Sequence, residues 1–213
     1  MNFRKINLRL IAVFLPLAVL AFLPLSSEKL SGAEQPADPD KPMYDKIIAT
    51  AKAVNTLECN FSETKTIAVL ANPIYRSGKL YYRKPNNMRW EYSKKEYGVC
   101  GPKGNYMVRD GKRDNGGSRA FAMISRITTS FMNGSPIDRK NFSLNYHPDR
   151  EGFVVVLMPK NPKIKATLDY IMMHFDTQSG YIKSFEMHHQ NDATKITFSN
   201  RQTNLHLDDD IFE

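Results

Sequence analysis

The chain has 213 residues, 41% of them hydrophobic, with 30 Lys plus Arg against 22 Asp plus Glu, a formal net charge of +8. That is enough sequence for one domain with a self-sufficient core. Ordinary apolar and charged fractions exclude a disordered chain and a multi-span membrane protein, and two cysteines exclude a disulfide-dense scaffold or a four-cysteine zinc site.

Arg4, Lys5 and Arg9 precede an uncharged run from Leu10 to Leu25, and Ser31-Gly32-Ala33 places small residues before a cleavage point after Ala33. Residues 1–33 thus have the layout of a secretory signal peptide. The competing reading, a permanent anchor, meets a run broken by Pro16 and Pro24 and shorter than the roughly 20 residues of a span. A lipid-modified start would require Cys where Ala33 stands. The expected product is a soluble periplasmic protein without its own lipid. Residues 1–33 hold four basic residues and one acid, so the remainder keeps 26 basic and 21 acidic residues, a net +5. That diffuse charge, without an aromatic RNA-binding motif or a helix-turn-helix pattern, excludes nucleic acid as the expected partner.

Polar, Pro-rich residues 34–42 read as a flexible linker. Tyr44, Ile47, Ile48, Ala51 and Val54 recur at helical spacing, predicting an amphipathic helix over about 43–56. From Leu57 the period becomes two, with Leu57, Cys59 and Phe61 on one face. Further strands are expected over 74–83, 88–92, 98–100 and 105–109, with Asp110-Gly111 as a turn. Residues 118–132 return to helical spacing through Phe121, Ile124, Thr128 and Phe131, ending at Asn133-Gly134. Strands are expected again over 142–147, 153–158, 170–175, 181–189 and 194–200. The reading is one α+β domain over 43–213, mainly antiparallel: about ten strands in a meander and two helices. Such a sheet curls, and the helices cover its greasy concave side.

The stretch Gly78-Lys79-Leu80-Tyr81-Tyr82-Arg83-Lys84-Pro85-Asn86-Asn87-Met88-Arg89-Trp90 resembles a strand of the form G-x-L-x-x-x-R-P-x-x-x-x-W in the periplasmic outer-membrane lipoprotein carriers (LolA-like proteins). The order of the other elements agrees, and Thr194–Phe198 is similar to the family's T-x-I-x-F strand. The resemblance implies a curved, unclosed β-barrel with a helical lid over a hydrophobic cavity. It implies a carrier that takes lipoproteins from an inner-membrane ABC transporter (LolCDE-like) towards an outer-membrane acceptor, as a monomer, with no cofactor and no catalysis. Suitable cavity liners are Phe61, Leu80, Tyr82, Met88, Trp90, Tyr92, Phe121, Met123, Ile124 and Phe131. The family's inward arginine before the Pro, which holds the lid, is Lys84 here, with Arg83 one step earlier. Either is a candidate lid latch, although lysine lacks the planar multi-donor fork. The family's Pro-containing tail has no counterpart after Phe212-Glu213.

Other readings stay beside this one. The fold also suits a sensor of a similar lipid, or a carrier of another amphiphile such as a glycolipid. A disulfide between Cys59 and Cys100 is allowed in an exported chain, but strands that are not neighbours favour free thiols. His188 and His189 point to opposite faces of a strand, and the other histidines show no ligand spacing, so no metal is expected. No nucleophile motif or positioned acid–base pair appears.

Overall fold

The computed structural model describes residues 38–102, 104–114, 119–134 and 139–213. The expected signal peptide, and residues 34–37 of the expected linker, lie outside them. Helix α1 spans Lys41–Ala53 with Pro42 in its first turn, where the missing N–H costs nothing. It ends earlier than its apolar spacing predicts because Val54 is already extended, leading into β1 (Thr56–Thr66). Val54 stays buried; its side chain continues the helical stripe without the helix.

Strands β2 (Ile74–Arg83), β3 (Asn87–Ser93), β4 (Glu96–Gly101), β5 (Gly104–Arg109) and β6 (Lys112–Asp114) follow, all antiparallel. The last has no signal in the sequence: three exposed polar residues carry no apolar alternation. Its hairpin turns at Asp110 and Gly111, with φ 51° and 72°, the left-handed pair that a two-residue hairpin requires. Helix α2 covers Arg119–Met132 and stops at Gly134, φ 60°. Then come β7 (Phe142–Asp149), β8 (Gly152–Pro159), a single helical turn α3 (Pro162–Lys165), β9 (Tyr170–Phe175), β10 (Ile182–His189), β11 (Asp192–Thr203) and a terminal 3-10 turn, Asp209–Phe212.

The sheet is not one meander. Its order is β6-β5-β4-β3-β2-β1-β11-β10-β9-β8-β7: two meanders of opposite sequence direction, joined where β1 pairs with β11 from Leu57↔Thr203 to Thr66↔Ala193. The edges β6 and β7 remain unpaired to each other, so the barrel is unclosed. Helix α2, the connection between those edges, must cross from one half to the other, and this places it in the trough.

Packing agrees with that position. On the β7–β11 side, Ile127 and Phe131 of α2 join Phe153, Val155, Leu157, Ile171, Met173, Phe175 and Phe185 in one core. On the β1–β3 side, Met132, Phe121 and Ile124 pack with Leu57, Phe61, Leu80, Tyr82, Met88 and Trp90. One helix therefore serves two cores. Helix α1 closes the end of the trough: Lys46 Nζ donates to the carbonyls of Thr177 (2.9 Å) and Gln178 (2.6 Å) in the β9–β10 turn, and Tyr44 stacks on Tyr146 at 4.7 Å.

Candidate functional site

Two glycines shape the inner wall. A Cβ on Gly78 would stand 2.8 Å from the Phe61 ring, and one on Gly98 would stand 2.6 Å from the Phe121 ring. Their absence lets Phe61 lie across β2 and lets α2 settle on β4. Phe61 then meets Trp90 and Tyr92 edge-on at 5.1 and 5.2 Å. Trp90 Nε1–H, which a buried indole must satisfy, donates to Met88 Sδ at 3.2 Å.

A cavity of about 30 Å³ lies between α2 and the sheet, lined by Leu80, Tyr82, Met88, Trp90, Ile124 and Phe131 among others. That holds one or two waters, so protein side chains nearly fill the trough. Above it opens a mouth of about 220 Å³, with Tyr92 and Phe121 on its wall beside Glu63, Lys65, Arg76, Glu96 and Arg109. Tyr92 donates to Glu63 Oε2 at 2.9 Å, and Arg76 pairs with Glu96 at 2.6 Å while covering the Tyr92 ring at 3.7 Å. Burial first, and the Glu63 carboxylate second, push the Tyr92 hydroxyl well above the usual phenol range. The site is a greasy floor under a polar collar.

Of the ten residues named from sequence, eight lie in or against the β1–β3 core: Phe61, Leu80, Tyr82, Met88 and Trp90 buried, with Tyr92, Phe121 and Ile124 partly buried. Phe131 is buried and Met123 partly buried against the opposite core, and Met123 lines neither the cavity nor its mouth. Phe61 supports the wall from behind the aromatic pair. The sequence reading missed the opposite wall, Met173, Ile182, Phe185 and Phe198, together with Arg201. The alternation of their strands was visible, but nothing local says that β9–β11 face β1–β3. Arg201 is the charged residue on the cavity wall; its guanidinium donates to the Ile182 carbonyl and lies 4.5 Å over Tyr181.

Among the described residues, neither candidate latch cation bonds to α2; Lys84 holds α1 and Arg83 the C-terminal segment. Lys84 Nζ donates to the Lys52 carbonyl at the end of α1. Arg83 donates to the Leu207 carbonyl at 3.2 Å, pairs with Asp209 at 2.6 Å and covers the Phe212 ring. It thus straps the C-terminal segment to the outside of the sheet. Strand parity explains the difference: Tyr82 points inward and fully buried, so Arg83 points out. A tie at the end of α2 is Asn133, just past the helix. Its Oδ1 accepts from Tyr82 Oη–H at 2.8 Å and its Nδ2 donates to the Pro85 carbonyl at 2.7 Å. We expect Asn133→Ala to loosen α2, raising hydrophobic-dye binding several-fold, because two hydrogen bonds at about 1 kcal/mol each are lost. Arg83→Ala should expose the C-terminal segment to proteolysis and leave dye binding unchanged. Equal dye responses from the two variants would refute this division.

Cys59 and Cys100 are free, on strands separated by β2 and β3. Burial pushes the Cys59 thiol up to about 12, so it is an inert wall residue and not a nucleophile. Among the described residues, no group of three or more His, Cys, Asp or Glu is placed to hold a metal ion.

A protein-family model described as "Outer membrane lipoprotein carrier protein LolA" matches residues 52–213. No curated protein sequence matches the chain. Among solved structures, a DUF1329 family protein from Desulfovibrio piger is similar at 13% identity and TM-score 0.46, over 83% of this chain and 98% of that one. A LolA superfamily protein from Nitrosomonas europaea is similar at 8% identity and TM-score 0.43, over 83% and 98%. The Mycobacterium tuberculosis lipoprotein LppX is similar at 10% identity and TM-score 0.46, over 78% and 97%.

Proposed function

The chain belongs to the outer membrane lipoprotein carrier (LolA) family, and on that premise we propose that it ferries lipoproteins through the periplasm with their acyl chains held between α2 and the sheet. A triacyl anchor has roughly three chains of about 15 methylenes, and exposing them to water costs on the order of 35 kcal/mol. Crossing without a carrier is therefore excluded. The carrier must offer apolar surface that is covered when empty and uncovered for cargo.

The observation that carries the reading is one helix plugging an apolar trough built from both halves of the sheet, leaving about 30 Å³. A drug-sized ligand needs about 300–1,000 Å³, so no acyl chain enters until α2 moves. Ile124, Phe131 and Met132 of α2 occupy the space that cargo would take. Loading is then an exchange of one apolar filling for another, and near-balance between the two permits both uptake and release. Leu80, Tyr82, Met88 and Trp90 are the proposed floor for acyl chains. The collar around Tyr92 and Arg76 is the proposed seat of the polar linker between lipid and polypeptide. Cargo arrives from a LolCDE-like transporter and leaves to an outer-membrane acceptor. Binding and release need no cofactor or bond-making chemistry.

The test is release of a labelled lipoprotein from transporter-bearing membranes, followed by mass spectrometry of the soluble complex. We expect lipoprotein to leave the membrane with this protein in equimolar amount. Recovery of a glycolipid or phospholipid alone would replace the cargo and favour another amphiphile; recovery of no amphiphile would refute the reading.

A further inference from the structure

Among the described residues, four of the six exposed large apolar side chains crowd into one place, the tip of the β1–β2 hairpin, two in its loop and two in the first residues of β2. Val69 is 89% exposed, Tyr75 73%, Leu70 47% and Ile74 40%. The loop is ordered by one bond of its own backbone, Leu70 N donating to the Ile67 carbonyl at 2.9 Å, and by one from β11, Ala68 N donating to Asp192 Oδ1 at 2.8 Å. It also overhangs its neighbour: in the register of Lys79↔Glu91, β3 ends at Ser93, so Ile74 to Arg76 extend beyond that strand. Apolar side chains at the tip of a projecting ribbon cover no core of this molecule. Such a patch marks a surface that meets something apolar.

The surroundings say what. The antiparallel register brings the β3–β4 and β5–β6 turns to the same end of the sheet, and Gly111 N donates to the Lys95 carbonyl at 3.0 Å. This end carries exposed Lys65, Lys94, Lys95 and Lys112. The acids beside them are engaged: Glu63 with the Tyr92 hydroxyl, Glu96 with Arg76, and Asp192 with the loop backbone. Asp110 forms the β5–β6 turn. An apolar tip ringed by lysines, with a tyrosine at its shoulder, matches the layering of a bilayer whose acyl region lies beneath anionic head groups. Four side chains are too few for a stable protein interface, which needs about 800 Å² per partner; a wedge into lipid needs no matching surface.

We propose that the β1–β2 tip docks the protein on an anionic phospholipid bilayer, with Val69 and Leu70 entering the acyl boundary, Tyr75 at head-group depth, and Lys65, Lys94 and Lys95 against lipid phosphates. Docking in this pose sets the collar residues Glu63 and Arg76, which lie on the same two strands as the tip, next to the membrane surface. Apart from Lys65, which also stands at the mouth, the surface lies outside the cavity, and its docking does not depend on what the cavity carries.

The test is co-sedimentation of the purified protein with large unilamellar vesicles, either phosphatidylethanolamine with phosphatidylglycerol or phosphatidylcholine alone, free of any other protein. We expect binding to the anionic vesicles to weaken at least tenfold in the double variant Val69→Ser/Leu70→Ser. Lys94→Glu/Lys95→Glu should weaken it several-fold and reduce its salt dependence. These positions are exposed, so melting temperature and acyl-chain uptake from detergent-dispersed cargo should stay as in the parent. No binding by the parent, or equal binding by the serine variant, overturns the proposal. So does a tip that captures a membrane protein from extracts while lipid vesicles alone fail to bind.

Discussion

Replacing Ile124 by Ser and Phe131 by Asn together should abolish acyl-chain uptake. Both side chains line the cavity between α2 and the sheet, and the Phe131 ring lies tilted, 5.2 Å from that of Phe175 in the β7–β11 core. Each substitution removes roughly 1.5–3 kcal/mol of apolar burial. Each also turns a polar group towards hydrocarbon without a partner, at a further ~1–3 kcal/mol. Against acyl chains the low ends of both ranges together reach about 5 kcal/mol; the half-buried Ile124 position lets the empty lid escape part of that cost, and the difference sets the fall in affinity. The measurement is displacement of a fluorescent fatty-acid analogue and recovery of lipoprotein from membranes. Near-UV circular dichroism and a cooperative melt establish that the variant is folded. Ile124 is half-buried, so Ile124→Ser alone should fold well and give an intermediate loss. A folded double variant that takes up cargo as the parent does would show that α2 is not where acyl chains bind.

Ser125→Ala with Thr129→Val should act in the opposite direction, making the protein more stable and a poorer carrier. Ser125 is 0% and Thr129 6% exposed, and neither hydroxyl has a hydrogen-bond partner. In a helix such hydroxyls ordinarily bond back to a carbonyl or face water. An unpartnered buried hydroxyl costs about 1–3 kcal/mol, and here the cost exists only while α2 is seated, because a displaced helix returns both groups to water. They are a built-in strain on the closed lid. Removing both should raise the melting temperature by several degrees, at about 2–4 °C per kcal/mol for a domain of this size. Acyl-chain affinity should fall at least tenfold, since closing becomes the favoured side of the exchange. Calorimetry and competition with the fatty-acid analogue read the two quantities on the same samples. An unchanged melting temperature, or tighter cargo binding, would show that the hydroxyls do not set the balance.

The same residues show where local reading stops. Leu80, Tyr82, Met88 and Trp90 alternate along two strands, and alternation is a property of the pleat itself, so their inward direction was legible from the sequence. The amphipathic stripe of α2 was legible for the same reason, as was the Asp110-Gly111 turn. Asn133 was legible only as a helix stop, because its partners, Tyr82 and Pro85, lie about fifty residues away.

The amino-acid sequence alone determined most of the elements, their order and which face of each is apolar, because these follow from periods of two and 3.6 and from short-range turn chemistry; the family was legible from the likeness of the Gly78–Trp90 stretch to the carriers' motif. The tertiary structure decided the rest. It broke the expected meander into two halves joined by β1 and β11, set Met173, Phe185 and Phe198 opposite Trp90, sent Arg83 to the C-terminal segment, and reduced the trough to about 30 Å³. The reason is physical: strand pairing across more than a hundred residues, and the volume left between packed faces, depend on how the whole sheet twists and curls, and no window of neighbouring residues contains that information.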